Sequence, residues 1–351
     1  MTDCVLHIGV EKTGSTSIQF SLAKSRPKLL AKGVLYPEAL GERNQIKAYA
    51  YASQTGIDEL KSPFGLDGPA AVQRFRTAVE QNLAREIAAK KPKVLCVSNE
   101  HCSSRLLLAP EIERLAGLLK AHCASIKVVV YLRRQADALR SAYSTYVKTG
   151  GAGPFRAPSP EETKKKYAYD VILDRWAAVF GDENIEVRLF DRDHLTDGDA
   201  VTDFFTKLGV GVGGMTLERE MNKSLGCQGM EFLRRFNGHV PYTVGAEFNT
   251  LRGNIQEIVE ELPGDTPFDG DAEVLGAFDA AMADGNERVR ARYLPGMAGP
   301  LFPPAAIEGA ASERPEVTSA DMVRVAAHVW EAKQKQVVRL RARLEKVGGP
   351  K

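Results

Sequence analysis

Long hydrophobic runs are missing from this chain, and so is an excess of either charge. No apolar stretch approaches the roughly 20 residues that a membrane-spanning helix needs. The apolar start at 4–8 is cut short by Glu11 and Lys12, too early for the core of a secretory signal. Lys and Arg number 47 against 45 Asp and Glu, a net charge of +2. That balance does not suggest a nucleic-acid coat or a polybasic membrane anchor. Cysteine is scarce as well. The five residues (Cys4, Cys96, Cys102, Cys123, Cys227) are scattered, odd in number and never spaced as CxxC. A disulfide frame or a zinc site is therefore not expected, and the thiols read as reduced and structural. These absences together describe a soluble, cytoplasmic protein without internal repeats.

What is present is ordinary globular material: 351 residues, 44% hydrophobic and 26% charged. Four short runs rich in Val, Ile and Leu, at 4–8, 93–98, 126–132 and 185–190, read as strands buried on both faces. Helical patterns lie at 15–24, 69–90, 110–122, 135–148 and 169–180. Strands alternating with helices predict a doubly wound parallel sheet. Segments 38–68 and 150–166, richer in Gly, Pro and polar residues, read as long loops of the kind that wall a substrate site. Beyond residue 240 the pattern is mostly helical, ending in a long amphipathic helix with a basic face at 319–347. The expected organisation is a core at 1–240 and a helical extension at 241–351.

The stretch LHIGVEKTGSTSIQ (6–19) places a glycine turn and a hydroxyl-rich helix start directly after the first strand. A nucleotide-binding loop of the form G-x-x-x-x-G-K-[ST] needs its lysine beside the second glycine. Here Gly9, Gly14 and Thr16 match that pattern, but Ser15 takes the lysine position and the lysine sits inside the loop at Lys12. Backbone N–H groups of residues 12–17 still form an anion nest at a helix N-terminus. A kinase or GTPase reading also needs an acid to hold magnesium, and no strand end shows a plain acidic run.

The KTGSTS loop resembles the 5′-phosphosulfate loop of sulfotransferases that use 3′-phosphoadenosine-5′-phosphosulfate (PAPS), where K-[TS]-G-[ST]-[ST]-[ST] follows the first strand. The resemblance implies a P-loop-like, three-layer α/β/α fold with a central parallel sheet. It places Lys12 at the oxygen bridging sulfate and phosphate, and gives the 5′-phosphate to Thr13, Gly14, Ser15, Thr16 and Ser17. The family carries an arginine at the end of a later strand and a serine eight residues on, which together clamp the 3′-phosphate. In VVVYLRRQADALRSAYSTYVK (128–148), Arg133 and Ser141 match that spacing, and Asp137 falls where many members carry an acid. Arg134 would pair with Ala142, so Arg133 is preferred. A guanidinium at a strand end forks well onto phosphate oxygens.

Sulfuryl transfer also needs a base for the acceptor proton. KVLCVSNEHCSS (93–104) ends its strand in Glu100 and His101, and SNEH is similar to a form found in bacterial members. Glu100 is the expected base and His101 the alternative, with Ser98 and Asn99 as positioning groups. RLFDRDHL (188–195) is similar to the family's R-Y-E-D-L, an architectural segment. MNKSLGCQGMEFLRRFN (221–237) is similar to an N-x-S-L segment, which makes Asn222 and Ser224 candidate nucleotide contacts. The family's R-K-G-x-x-G-D-W-K loop is absent. Arg219, Lys223 or the Arg234–Arg235 pair would have to supply its phosphate contacts. GNERVRARYLPG puts Arg288 and Arg292 on one helical face, either solvated or facing an acidic acceptor. The resemblance implies PAPS as co-substrate, no metal, and a small-molecule or carbohydrate acceptor whose identity the sequence does not specify. Neither nucleic acid nor a membrane span enters the reading.

Overall fold

The structure is a computed structural model and describes residues 2–54, 56, 58–218, 224–245, 247–303 and 316–347. Its contacts divide it into two compact units whose membership follows no single cut in the sequence. The first comprises Met1–Ala138, Pro158–Met221 and Asp279–Pro304; the second comprises Leu139–Ala157, Asn222–Phe278 and Ala305–Lys351.

The first unit begins with β1 (Thr2–His7), α1 (Ser15–Lys24), α2 (Arg26–Ala31), β2 (Val34–Leu35), α3 (Ile46–Ala52) and α4 (Pro69–Lys90). There follow β3 (Val94–Ser98), α5 (His101–Arg105), α6 (Ala109–Lys120), β4 (Cys123–Leu132) and α7 (Gln135–Lys148), whose later turns belong to the second unit. α8 (Pro160–Lys166), α9 (Tyr169–Phe180), β5 (Ile185–Leu189) and α10 (Ala200–Lys207) continue it. The sheet order is β2-β3-β1-β4-β5, and every pairing is parallel.

Burial on both faces explains the near-continuous apolar strands. Leu6, Leu95, Val97, Val128 and Val130 face α3, α4, α6 and α9 through Tyr49, Leu83, Leu115 and Trp176. Cys96, Val129 and Tyr131 face α1, α2 and α10 through Ile18, Leu22, Leu29 and Phe204. This is the expected three-layer α/β/α arrangement.

The segments 38–68 and 150–166, expected as loops, differ in part. The first contains α3, an apolar and aromatic turn buried over the sheet. The second ends in α8, capped by Ser159, whose Oγ accepts from the Glu162 N–H while the Glu162 carboxylate accepts from the Ser159 N–H. That reciprocal capping starts a helix on polar residues alone.

The second unit contains α11 (Cys227–His239), a two-stranded ribbon of β6 (Thr243–Val244) and β7 (Glu247–Phe248), and α12 (Ile255–Glu260). α13 (Ala272–Tyr293) starts there and finishes in the first unit, and α14 (Ser319–Val347) is the last helix. The core of this unit joins Tyr143, Val147, Leu233, Val259 and Val325. Buried Arg252 donates to Asn237 Oδ1 at 2.7 Å, and Asn237 donates to the carbonyls of Val147 and Gly151 at 2.8 Å each. No helix among the described residues is long and apolar enough to cross a membrane.

Candidate functional site at the carboxyl ends of β1, β3 and β4

Strand β1 lies at the centre of the sheet, between β3 and β4. The chain leaves β1 toward β2 and β3 on one side and takes up β4 on the other, so the strand order reverses beside it. Open α/β sheets bind ligands at the carboxyl ends of strands at such a reversal. Register brings the ends of β1 and β3 level, with His7 opposite Ser98, while β4 runs on past Val129, which also faces His7, to Leu132.

Gly9, Lys12 and Gly14 have φ of 54°, 72° and 76°. Side chains rarely adopt that region, so the strained turn at Lys12 has a specific cause. It folds the loop tightly enough for Gly14 to open α1 in a left-handed N-cap. A Cβ on Gly9 would lie 3.1 Å from the Glu100 Cβ, and one on Gly14 would lie 3.1 Å from the Phe190 ring. Glycine is thus required at both positions by backbone conformation and by space. The first helical hydrogen bond of α1 runs from the Ile18 N–H to the Gly14 carbonyl at 3.0 Å. The amides of Ser15, Thr16 and Ser17 therefore have no partner within the helix. Thr13 is buried, and its hydroxyl donates to the Val10 carbonyl at 2.6 Å, so that hydroxyl shapes the loop.

Arg133, at the end of β4, donates from Nη1 to the Lys12 carbonyl at 3.1 Å and lies over the Phe190 ring, 5.5 Å from its centroid. The Tyr169 hydroxyl donates to the Arg133 carbonyl at 2.6 Å. Arg134 turns elsewhere: its Nε donates to Asp279 at 2.6 Å, and the same carboxylate accepts from the Ala136 N–H at 3.1 Å. Of the two consecutive arginines, Arg133 is the one at the loop.

Glu100 lies against Gly9, and its Oε2 accepts from Gln19 Nε2 of α1 at 2.6 Å. Its Oε1 is 4.0 Å from His101 Nε2. Asn99 is fully buried, and its Oδ1 accepts from the His101 N–H at 3.1 Å. Ser98 Oγ meets His7 Nδ1 at 2.8 Å. Among the described residues six buried side-chain polar atoms lack a hydrogen bond, and three of them are here: His7 Nε2, Asn99 Nδ2 and His101 Nδ1. Burial alone lowers the His7 pKa to about 3, which keeps the ring neutral.

Glu11, inside the loop, carries a role that motif reasoning passes over. Its carboxylate accepts from Ser104 Oγ at 3.0 Å and pairs with Lys166 at 3.6 Å. Burial pushes its pKa up, but Lys166, Ser104, His101 and Lys12 outweigh that and hold it below the usual carboxylate value. The loop thus keeps a fixed negative charge beside Lys12. Gln19 and Lys166 were equally invisible in sequence, because their partners lie far along the chain. For Glu11 the only signal was its position next to Lys12.

Ser141 and Ser224 belong to the second unit, and their placement against Arg133 and the loop is a proposal. Asn222 lies outside the described residues, as do Arg219 and Lys223. Arg234 and Arg235 both pair with Glu231, at 2.7 Å each, and line a cavity of about 400 Å³ with Tyr143, Phe155 and Phe268. Arg288 and Arg292 stay partly exposed and pair within the chain: they meet Asp170 and the pair Asp174 and Asp182, each at 2.5 Å. Arg188 of RLFDRDHL is architectural. It donates to buried Asp203 at 2.6 Å, and the Tyr131 hydroxyl reaches the same carboxylate at 2.6 Å. Among the described residues no group of three His, Cys, Asp or Glu side chains is arranged to hold a metal ion.

No family model matches the chain. A protein of Archaeoglobus fulgidus described as an uncharacterized protein is 32% identical over 112 residues, 32% of this chain and 30% of its own length. The chain therefore aligns with less than a third of that relative. The crystal structure of a sulfotransferase from Alicyclobacillus acidocaldarius matches 84% of this chain and 98% of its own at 16% identity, with a TM-score of 0.39. A similarity that slight transfers neither fold nor function.

Proposed function

We propose that the chain is a sulfotransferase that moves a sulfuryl group from PAPS to a hydroxyl or amine of a carbohydrate or small metabolite. The observation that carries the reading is a convergence within the first unit. An amide-lined loop with Lys12 at its tightest point receives Arg133 from one neighbouring strand end and abuts Glu100 from the other. The unpartnered Asn99 Nδ2 and His101 Nδ1 fit a ligand bearing several anionic oxygens at this place.

PAPS supplies a sulfuryl group already bonded to a phosphate that leaves. The amides of residues 13–17, with the hydroxyls of Ser15, Thr16 and Ser17, hold the 5′-phosphate at the N-terminus of α1. Thr13 contributes its N–H, since its hydroxyl is committed to Val10. Lys12 neutralises charge growing on the bridging oxygen as its bond to sulfur breaks. Arg133, with Ser141, takes the 3′-phosphate, and Asn222 and Ser224 complete the nucleotide contacts. Glu100 accepts the proton of the acceptor hydroxyl as its oxygen bonds to sulfur, while Gln19 fixes the other carboxylate oxygen. His101 is the alternative base. No metal is required, because a monoanionic sulfuryl group carries little charge to neutralise.

The test is transfer of label from PAPS to a panel of acceptors in excess EDTA. Undiminished transfer is expected. Strict dependence on a divalent ion, together with ATP hydrolysis, would overturn the reading in favour of a kinase.

A further inference from the structure

Helix α14 begins packed and ends bare. Val325 is fully buried, His328 Nε2 lies 3.0 Å from the Ile258 carbonyl, and Lys333 donates to Asn254 Oδ1 at 2.6 Å. The last such anchor is Gln336, whose Nε2 reaches the same Asn254 oxygen at 3.4 Å. From 337 to 345 every side chain is exposed, whichever way it projects. Four of these are Val337, Val338, Leu340 and Leu344, the last 71% exposed. Exposed apolar side chains are unremarkable singly, but a continuous set is not.

The set is ordered. Val323, Trp330, Val337 and Leu344 recur at sevenfold spacing, close to two helical turns, and all four are exposed. They form one apolar stripe roughly 30 Å long. Around it the charge is one-sided. Residues 331–347 hold six basic side chains (Lys333, Lys335, Arg339, Arg341, Arg343, Lys346) against Glu331 and Glu345, a local balance of +4. The rest of the chain is then −2, so the near-neutral total conceals a strongly basic end.

We propose that α14 lies on an anionic lipid surface along its exposed Val323–Leu344 stripe, with its basic second half against the headgroups. A basic helix with an apolar stripe that includes Trp and Leu binds such a surface by burying the stripe at the headgroup boundary while its cations meet lipid phosphates. Arg341 projects near the stripe, four residues after Val337, and its long stem lets the guanidinium reach back to the phosphates. Pairing with a second copy is disfavoured by charge, since a symmetric contact would bring Arg339, Arg341 and Arg343 of two helices together. This inference stands independently of the proposed transfer reaction.

The chain carries its own probe. Of its two tryptophans, Trp176 is fully buried and Trp330 is 68% exposed. With the full chain, vesicles of phosphatidylcholine containing phosphatidylglycerol should shift tryptophan emission to the blue and bring the protein into the pellet. Pure phosphatidylcholine vesicles should do neither, and added salt should reverse the binding. Replacing Arg339, Arg341 and Arg343 together by Glu should weaken partitioning on the order of a hundredfold. The double variant Leu340→Glu, Leu344→Glu should abolish the pelleting. All five positions are exposed, so circular dichroism should be unchanged. Protein that stays in the supernatant with anionic vesicles would overturn the proposal. So would equal binding to neutral vesicles, a dimer lost on Leu344→Glu, or binding to an acidic peptide without binding to lipid.

Discussion

Two polar regions of the first unit are built in opposite ways. Where α9 meets the later turns of α13, charges are matched: Arg288 on Asp170, and Arg292 on Asp174 and Asp182. At the carboxyl ends of β1 and β3, buried polar atoms of His7, Asn99 and His101 are left without partners, and the backbone is strained at Lys12. Leaving a buried polar atom unmade costs about 1–3 kcal/mol. A fold bears such costs where a ligand supplies the missing partners, whereas matched pairs at a helix seam hold elements together. Two further unpartnered atoms, Arg175 Nη2 and Trp176 Nε1, lie on α9 itself, so it is the cluster of three beside a strained turn that supports the proposed binding region.

The largest effects should come from the unmatched region. Glu100→Gln keeps shape and the contact with Gln19 but removes the base, and should cost on the order of 10²–10⁴ in turnover. Lys12→Ala should lower kcat about a hundredfold or more and weaken nucleotide binding less, because the loop amides and Arg133 remain. Single-turnover rates beside binding isotherms separate the two effects. If His101→Ala is dead while Glu100→Gln turns over normally, the base is His101.

Next in size is a pH effect from the same strand end. The folded-state His7 pKa is about 3 against an ordinary value of 6.5. Between those values the unfolded chain binds a proton that the folded chain refuses. His7 therefore costs no stability above pH 6.5, and stability falls as pH drops through that window. The limit is a factor of about ten in the folding equilibrium per pH unit. Urea midpoints across pH 3.5–7 should show the slope, and His7→Asn should flatten it. An unchanged slope in that variant would place the acid sensitivity elsewhere, with the depressed carboxylates such as Glu11.

The matched seam should respond least. Arg292→Ala removes a pair that is 40% exposed at the arginine, and should cost about 1 kcal/mol or less with turnover unchanged. A large loss of activity there would erase the contrast between the two regions.

Much of the fold was legible because apolar runs and helical periods are local signals. The long helices at 69–90, 135–148 and 319–347 follow from periodicity, and the four expected strands all form. What was not legible has physical causes. β2 is two residues long, α3 is buried and so lacks a polar face, and α8 is nearly all polar, its start marked only by the Ser159–Glu162 spacing. The expected boundary at 240 follows a change in composition, whereas the compact units follow contacts and interleave. Of the proposed site residues, Lys12, Glu100 and Arg133 could be named because each belongs to a short motif that follows a recognisable strand and resembles a known family's. Gln19 could not, since the Glu100 that gives it meaning is 81 residues away.

The most direct test of the central claim is a comparison of two nucleotides on one protein. Calorimetry should show 3′-phosphoadenosine 5′-phosphate binding roughly ten- to a hundredfold more tightly than AMP, the size of one charge-assisted contact. Arg133→Ala should erase most of that preference, and Arg134→Ala, whose partner is Asp279, should leave it intact. Equal affinity for the two nucleotides in the unmodified protein would contradict the account.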